Sequence, residues 1–191
     1  MIVDVRQDGQ SILPEYARIS IAFEVREVMD VLRDRAPRDR FRLAPRAVSP
    51  WIKDYDALDG GPLGWPGRFD LRYWTFFVAR DGARLIGGAA VVHRAPDIET
   101  LEDRDDVALV WDLRVAPDAR SAGVGRALMG AVDAWAGSHE ASWIEVETQN
   151  INAPACRFYS ANGFDLRAAS HDAYPGLPNE IQLLWYKQLT R

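Results

Sequence analysis

The residue types and spacing that could do chemistry begin in the run Val115–Leu128, V-A-P-D-A-R-S-A-G-V-G-R-A-L. A strand ends at Pro117, and an Arg-x-x-Gly-x-Gly turn, Arg120 to Gly125, opens a helix. Such a turn suits a diphosphate. Glycines let the main chain come close, several N–H groups can point at the oxygens, and a helix N-terminus supplies about half a positive charge. Gly123, Val124, Gly125 and Arg126 offer the donors, and Arg120 and Arg126 add positive side chains. Only two glycines follow a strand from a hairpin-rich region, so this is not the dinucleotide fingerprint. Without a Gly-Lys-Ser/Thr step it is not a triphosphate loop either. By itself the turn fits equally a helix that merely starts with glycines.

Carboxylates form the second group. Glu145, Glu147 and Gln149 share one face of a strand by its period of two. That face either looks into a cleft or is the wet side of a half-exposed strand. Cys156 lies inside a helix with no histidine near it in sequence, where a thiol behaves as a small hydrophobe. His93, His139 and His171 lack metal-ligand spacing, and no metal is expected.

The elements that must position these groups are regular from Tyr73 onward. YWTFFVAR, the pair Asp81-Gly82 and ARLIGGAAVVH read as a β-hairpin with a primed turn. Residues 97–106 form an acidic, solvated loop, and VALVWDLRV at 107–115 is a strand. Val124, Leu128, Ala131, Val132 and Trp135 make the apolar stripe of a helix over Gly123–Ala136, with Gly137 as its stop. SWIEVETQ at 142–149 is the next strand. Pro154 suits the first turn of a helix running to about Asn162, with Gly163 just past its end. Strands at about 164–170 and 180–189 flank the loop HDAYPGLPN. The expected class is α/β or α+β, a sheet with helices packed on it. Residues before about 70 read irregularly: an apolar and charged stretch from Ala17 to Leu32, a basic patch at 35–46, and a turn or loop, DGGPLGWPG, at 59–67.

Composition bounds the function. The 191 residues fit a single domain, and 48% hydrophobic against 27% charged residues supply a sizeable core. Twenty-three Lys and Arg against 28 Asp and Glu leave a net charge of −5, the wrong sign for nucleic acid. The single cysteine excludes an internal disulfide and fits a reducing compartment, so the cytoplasm is expected. No window approaches the roughly 20 apolar residues that span a bilayer, and no export or membrane insertion is expected.

Arg120-x-x-Gly123-x-Gly125 followed by Asn152, Ala155, Tyr159 and Gly163-Phe164 resembles the GNAT superfamily of acetyl-CoA-dependent N-acetyltransferases over residues 73 to 189. Within it, V-E-T-Q-N-I-N-A-P-A-C-R-F-Y-S-A-N-G-F at 146–164 and the closing L-L-W-Y resemble the streptothricin acetyltransferase branch of antibiotic-modifying enzymes. The resemblance implies a mixed, mostly antiparallel sheet flanked by helices. That sheet would splay between the strands at 107–115 and 142–148, with acetyl-CoA in the gap. Residues 1–72 would be the acceptor side and 73–189 the acetyl-CoA core of one domain covering 1–191.

The resemblance also assigns roles. The backbone of Leu113, Arg114 and Val115 would hold the pantetheine arm. Arg120, Ser121, Ala122, Gly123, Val124, Gly125 and Arg126 would hold the diphosphate, and Asn152 would bond the cofactor arm. Tyr159 matches the family tyrosine that protonates the leaving thiolate, and Glu147 the position where relatives carry a glutamate base acting through water. Tyr159 would otherwise be a core aromatic. Asp112, just before the pantetheine strand end, and Glu145 compete with Glu147, and either would serve as a substrate-binding carboxylate, Glu145 holding a cationic acceptor while Glu147 does the chemistry. Trp51, Tyr55 and Trp65 would stack on it, helped by Asp54 and Asp56 through ionic and cation–π attraction. The reaction implied is transfer of acetyl to a primary amine of a small cationic molecule, with antibiotic resistance as one outcome and a homodimer as the common assembly. The alternatives are a protein N-terminal or lysine acetyltransferase and a non-catalytic acyl-CoA-binding sensor. Residues 35–67 match the branch poorly, so acceptor identity does not carry over.

Overall fold

The computed structural model describes residues 3–33, 41–101 and 104–190. Among these, the regular elements are β1 (Asp4–Asp8), α1 (Leu13–Tyr16), β2 (Phe23–Arg33), β3 (Phe41–Lys53), α2 (Asp56–Asp59), α3 (Gly61–Gly64), β4 (Trp74–Asp81), β5 (Arg84–His93) and β6 (Val107–Val115). They continue with α4 (Val124–Ser138), β7 (Trp143–Gln149), α5 (Ala153–Ala161), β8 (Asp165–Ser170) and β9 (Gln182–Gln188). The chain gathers into two compact units, one taking the chain up to Ala22, Asp54–Ile144 and the residues from Leu189, the other Phe23–Lys53 and Glu145–Gln188. No helix among the described residues is long and apolar enough to cross a membrane.

In the first unit β1, β4, β5 and β6 run antiparallel in the order β1-β4-β5-β6. The expected hairpin is present but shifted by one residue. Asp81 still pairs with Arg84, so the turn is Gly82-Ala83. Gly82 sits at φ 60° and alone of the two takes a positive φ, as a type II′ turn requires. β5 is buried at every position after Arg84 because both its faces are covered. A Cβ on Gly87 would meet Val124 of α4 at 2.8 Å, and one on Gly88 would run into the Tyr16 ring. Successive strand residues point to opposite faces, so this glycine pair admits α4 on one side and Tyr16 on the other.

α4 departs from expectation at its end: it passes through Gly137 to Ser138, with His139 as C-cap. The left-handed residue is Glu140, at φ 63°, and the Ala141 N–H reaches back to the Ala136 carbonyl at 3.0 Å. This is the Schellman closure with glutamate where glycine is usual. The stretch at 59–67 is likewise not a plain loop. α2, α3 and a 3₁₀ turn at Trp65–Gly67 follow one another, and Pro62 and Pro66 open short turns where a missing N–H costs nothing.

The second unit holds an antiparallel hairpin of β2 and β3 where the sequence read as irregular. The basic patch at 35–46 falls partly outside the described residues, and its last six residues belong to β3. A bulge between Val25 and Glu27 breaks the alternation of β2. Val25 and Val28 pack with Ile151, and Phe23 and Val48 join them. β7, β9 and β8 are neighbours in that order, β8 and β9 antiparallel. α5 lies where expected, with Pro154 in its first turn and Gly163 at φ 83° just beyond it.

Candidate active site

In the first unit, Leu113, Arg114 and Val115 end β6 and pair with Ala89, Gly88 and Gly87. The Arg114 side chain is almost wholly buried and makes paired hydrogen bonds with two carboxylates. Its Nε and Nη2 donate to Asp112 at 2.8 and 2.7 Å, and Nη1 and Nη2 donate to Asp56 at 2.8 and 3.1 Å. Tyr16 donates to the same Asp112 at 2.6 Å. Burial works against the Arg114 charge, but the bonds and charge of Asp112 and the bonds of Asp56 outweigh it and hold the guanidinium above its ordinary pKa. Burial, and next the Asp112 charge, raise the Tyr16 phenol well above its usual value. Asp112 is thus spent on Arg114 and Tyr16, which removes it from the acceptor-binding candidates. Its partner Asp56 is spent in the same way.

The glycine turn leaves its backbone donors open. Gly123 caps α4 at φ 87° with no side chain on the first-turn N–H groups, and Ser121 also takes a positive φ, 63°. Nothing stands within 4 Å of where a Gly123 Cβ would be. Ser121, Ala122, Gly123 and Arg126 are exposed, Gly125 half-buried and Val124 buried beneath them. Donors open to solvent at the head of a 15-residue helix fit the diphosphate of a coenzyme. Arg120 has a different task from the one expected. Its guanidinium donates to the carbonyls of Val115, Ser20 and Ala22, at 3.1, 3.2 and 2.9 Å, and clamps the strand end.

In the second unit, Glu147 of β7 is half-buried and accepts two hydrogen bonds from neutral donors. Tyr174 Oη donates to its Oε1 at 2.5 Å and Gln182 Nε2 to its Oε2 at 2.6 Å. Gln149, on the same strand face, donates to Tyr174 at 3.0 Å. Glu145 is buried on that face. One face of β7, Ile144, Val146 and Thr148, is fully buried, while on the other Glu145 is buried and Trp143, Glu147 and Gln149 are half-buried, so that face is neither wet nor closed. Burial and the Glu147 charge keep the Tyr174 phenol well above its ordinary pKa, so it stays a donor.

Asn152 is the N-cap of α5, its Oδ1 accepting from the Ala155 N–H at 3.2 Å. Tyr159, 5% exposed, packs edge-on against Phe164, and its carbonyl accepts from the Phe164 N–H at 3.1 Å. Tyr159, Gly163 and Phe164 are thus the third-last residue, the left-handed glycine and the closing hydrophobe of a Schellman motif. Burial pushes the Cys156 thiol up to about 11, which leaves it protonated and inert at neutral pH.

The residues expected to form an aromatic acceptor wall differ in exposure. Trp65 is 2% exposed in a cluster with Tyr16 and Trp74, where no ligand can stack on it. Trp51 is 40% exposed on β3, and Asp54 accepts the Asp56 N–H in a local turn. Among the described residues no three His, Cys, Asp or Glu are grouped to hold a metal ion. Sequence reasoning missed Tyr174, Gln182, Tyr16 and the pairing role of Asp56. Tyr174 carried one signal, an aromatic in the Pro/Gly loop between the last two strands.

Residues 27–164 match the model of the acetyltransferase (GNAT) family. The chain belongs to that family. Streptothricin acetyltransferase of Escherichia coli is 30% identical over 184 residues, covering 92% of this chain and 93% of that protein. The crystal structure of nourseothricin acetyltransferase matches all of both chains at a TM-score of 0.76 and 25% identity. A Bacillus anthracis acetyltransferase, solved in complex with acetyl coenzyme A, matches 98% of this chain and 99% of its own at a TM-score of 0.80 and 22% identity. The mixed, mostly antiparallel α/β fold flanked by helices is that of the family, and the expectation of an acetyltransferase with streptothricin-type relatives is borne out.

Proposed function

We propose that this GNAT member moves acetyl from acetyl-CoA to a primary amine of a small cationic molecule of the streptothricin kind. The observation that carries the reading is Glu147, a half-buried carboxylate held by two neutral donors in a chain matched along 92% of its length by a streptothricin acetyltransferase. A carboxylate paired with arginine has its charge spent, whereas one held by a phenol and an amide keeps it for an ammonium group.

When bound, acetyl-CoA supplies an activated carbonyl. The N–H groups of Gly123 to Arg126 and the Arg126 side chain hold its diphosphate, with the helix dipole behind them. The ends of β6 at Leu113, Arg114 and Val115 offer backbone to the pantetheine amides, and Asn152 offers its side-chain amide. Glu147 binds the acceptor's ammonium and takes its proton, directly or through water, since each oxygen keeps a lone pair after accepting one bond. Tyr159 protonates the leaving sulfur. A phenol pKa near 10 lies close enough to that of a thiol for the transfer. A donor drawn from central metabolism puts the reaction in the cytoplasm.

The test is isothermal titration of acetyl-CoA and CoA, followed by thiol release with streptothricin, aminoglycosides, polyamines and N-terminal peptides. Binding with thiol release on streptothricin is the expected result. Release on peptides alone would replace the acceptor with a protein. Binding with no release on any amine would make the chain an acyl-CoA sensor.

A further inference from the structure

We infer that Tyr174, from the loop between β8 and β9, is the positioning residue for Glu147, with Gln182 as its second support. The inference rests on Glu147 as the acceptor-side carboxylate.

The geometry is a relay along one strand face: Gln149 donates to Tyr174 at 3.0 Å, and Tyr174 donates to Glu147 at 2.5 Å. Gln182, at the start of β9, fixes the other oxygen at 2.6 Å. One donor on each oxygen locks the carboxylate plane yet leaves a lone pair on both for an ammonium group. A lone glutamate on a strand has rotamer freedom to lose on meeting its substrate, and here that loss is met in the folded state.

The loop itself is anchored. Tyr174 and Leu177 accept successive turn bonds from the N–H groups of Leu177 and Glu180, both at 2.9 Å. At its root, buried Glu180 is ion-paired with Lys53. Buried Asn150 accepts the Ile181 N–H at 2.8 Å through its side chain, while its own N–H donates to the Ile181 carbonyl at 3.0 Å. Asn150 also donates to the Met29 carbonyl at 3.3 Å, tying the root to β2. A hydroxyl at a loop tip with a rigid root can hold a fixed direction, and no purely structural need calls for a phenol aimed at a carboxylate there. Glu180 has its charge met by Lys53, whereas the two bonds to Glu147 come from neutral groups.

A double-mutant cycle with streptothricin as the probe tests this. Tyr174→Phe removes the hydroxyl and keeps the ring, so the fold is retained. It is expected to lower kcat/KM for streptothricin about tenfold with the acetyl-CoA KM unchanged, and Gln182→Met to act in the same direction. Glu147→Gln is expected to lower it about a hundredfold or more. The double variant Tyr174→Phe, Glu147→Gln should be no slower than Glu147→Gln alone, because the phenol acts only through the carboxylate. Additive losses would overturn the inference. So would a Tyr174→Phe enzyme that matches the parent, and in that case the transferase reading stands. Streptothricin binding that weakens in both variants, in a parent that releases no thiol, would overturn the transferase reading and leave the positioned carboxylate standing.

Discussion

Tyr16 and Asp112, 96 residues apart in the chain, share a 2.6 Å hydrogen bond within the first unit, and Arg114 closes the same carboxylate from the other side. A buried guanidinium is tolerable only while its counter-charges remain. Asp112→Ala should therefore cost about 3–5 kcal/mol, since it leaves the Arg114 charge half-compensated in the interior. Tyr16→Phe should cost about 1.5–3 kcal/mol, the range for a bond to a charged group. Asp56→Ala should cost less than Asp112→Ala, because Asp56 retains access to water. Urea midpoints of the three variants give the order directly. Equal losses for Asp56 and Asp112 would contradict the assignment of Asp112 as the main counter-ion.

Tyr159 has two duties in our reading, and a single atom separates them. Its ring closes the Schellman motif of α5 against Phe164, with centroids 5.3 Å apart, while its hydroxyl is assigned the proton for the leaving sulfur. Tyr159→Phe keeps the first and removes the second. The expected outcome is kcat lowered about 10²–10⁴-fold, with a much smaller loss of stability than Tyr159→Ala brings. Tyr159→Ala should lose stability as well, about 3–5 kcal/mol as for other large-to-small core changes. A Tyr159→Phe enzyme with parental kcat would reduce the residue to packing.

Much of the C-terminal half was legible because its signals are local. Pro154 and Gly163 bracket α5 correctly, since a fixed φ at one end and a left-handed turn at the other are properties of those residues alone. The apolar stripe from Val124 to Trp135 placed α4 for the same reason. The hairpin of β2 and β3 was not legible. The bulge at Val25/Glu27 breaks the period of two, and Pro45 and Pro50 in β3 read as loop residues although an edge strand accepts them. The site followed the same division. Glu147 and Gln149 showed a shared face by their spacing, but the partners of Glu147 come from the loop and strand that follow, and no local pattern announces them. Trp65 and Asp112 were misread because nothing in their neighbours' identities distinguishes a buried aromatic or carboxylate from one lining a cleft.

The glycine turn makes a prediction that separates backbone from charge. Gly123→Ala forces a Cβ into a φ of 87°, at about 1–2 kcal/mol, and so distorts the N–H groups assigned to the diphosphate. CoA affinity should fall, while that of pantetheine, which has no diphosphate, should hold. Arg126→Ala should weaken CoA mainly at low salt, as screening removes an exposed charge in any case. Calorimetric titration of both ligands at two salt concentrations reads all of these. Equal loss for CoA and pantetheine would move the diphosphate elsewhere.

His93 supplies a pH dependence. The ring is buried and its Nε2 lies 2.9 Å from the Asp105 carbonyl, an arrangement suited to a neutral ring with hydrogen on that nitrogen. Burial lowers its pKa below the ordinary 6.5, and the Asp105 bond offsets this only in part. A base with a depressed folded pKa stabilises the fold above its unfolded value and loses that contribution as pH falls through the folded one. Stability should thus decline from about pH 6.5 downward. His93→Gln, which keeps a donor without the titration, should flatten that decline in urea melts taken across the range. A parental slope in the variant would assign the decline to other groups.

The end of α4 offers a test of backbone strain without any ligand. Glu140 holds the left-handed position that glycine usually takes, and its exposed pairing with Arg94 at 3.3 Å is worth little. Relief of a left-handed side chain brings about 1–2 kcal/mol, and the added freedom of glycine in the unfolded chain takes back about 0.4–1. Glu140→Gly should therefore raise stability slightly, by about 1.6 kcal/mol at most. Gly137 sits inside the helix with an ordinary φ and nothing within 4 Å of a would-be Cβ. Gly137→Ala should add about 0.5–1 kcal/mol from helix propensity alone. The two sites are three residues apart but alter different terms, one a strained φ and the other chain entropy, so the double variant should show the sum. If Gly137→Ala destabilised and Glu140→Gly did nothing, the stop would lie at Gly137 after all, where the sequence first suggested it.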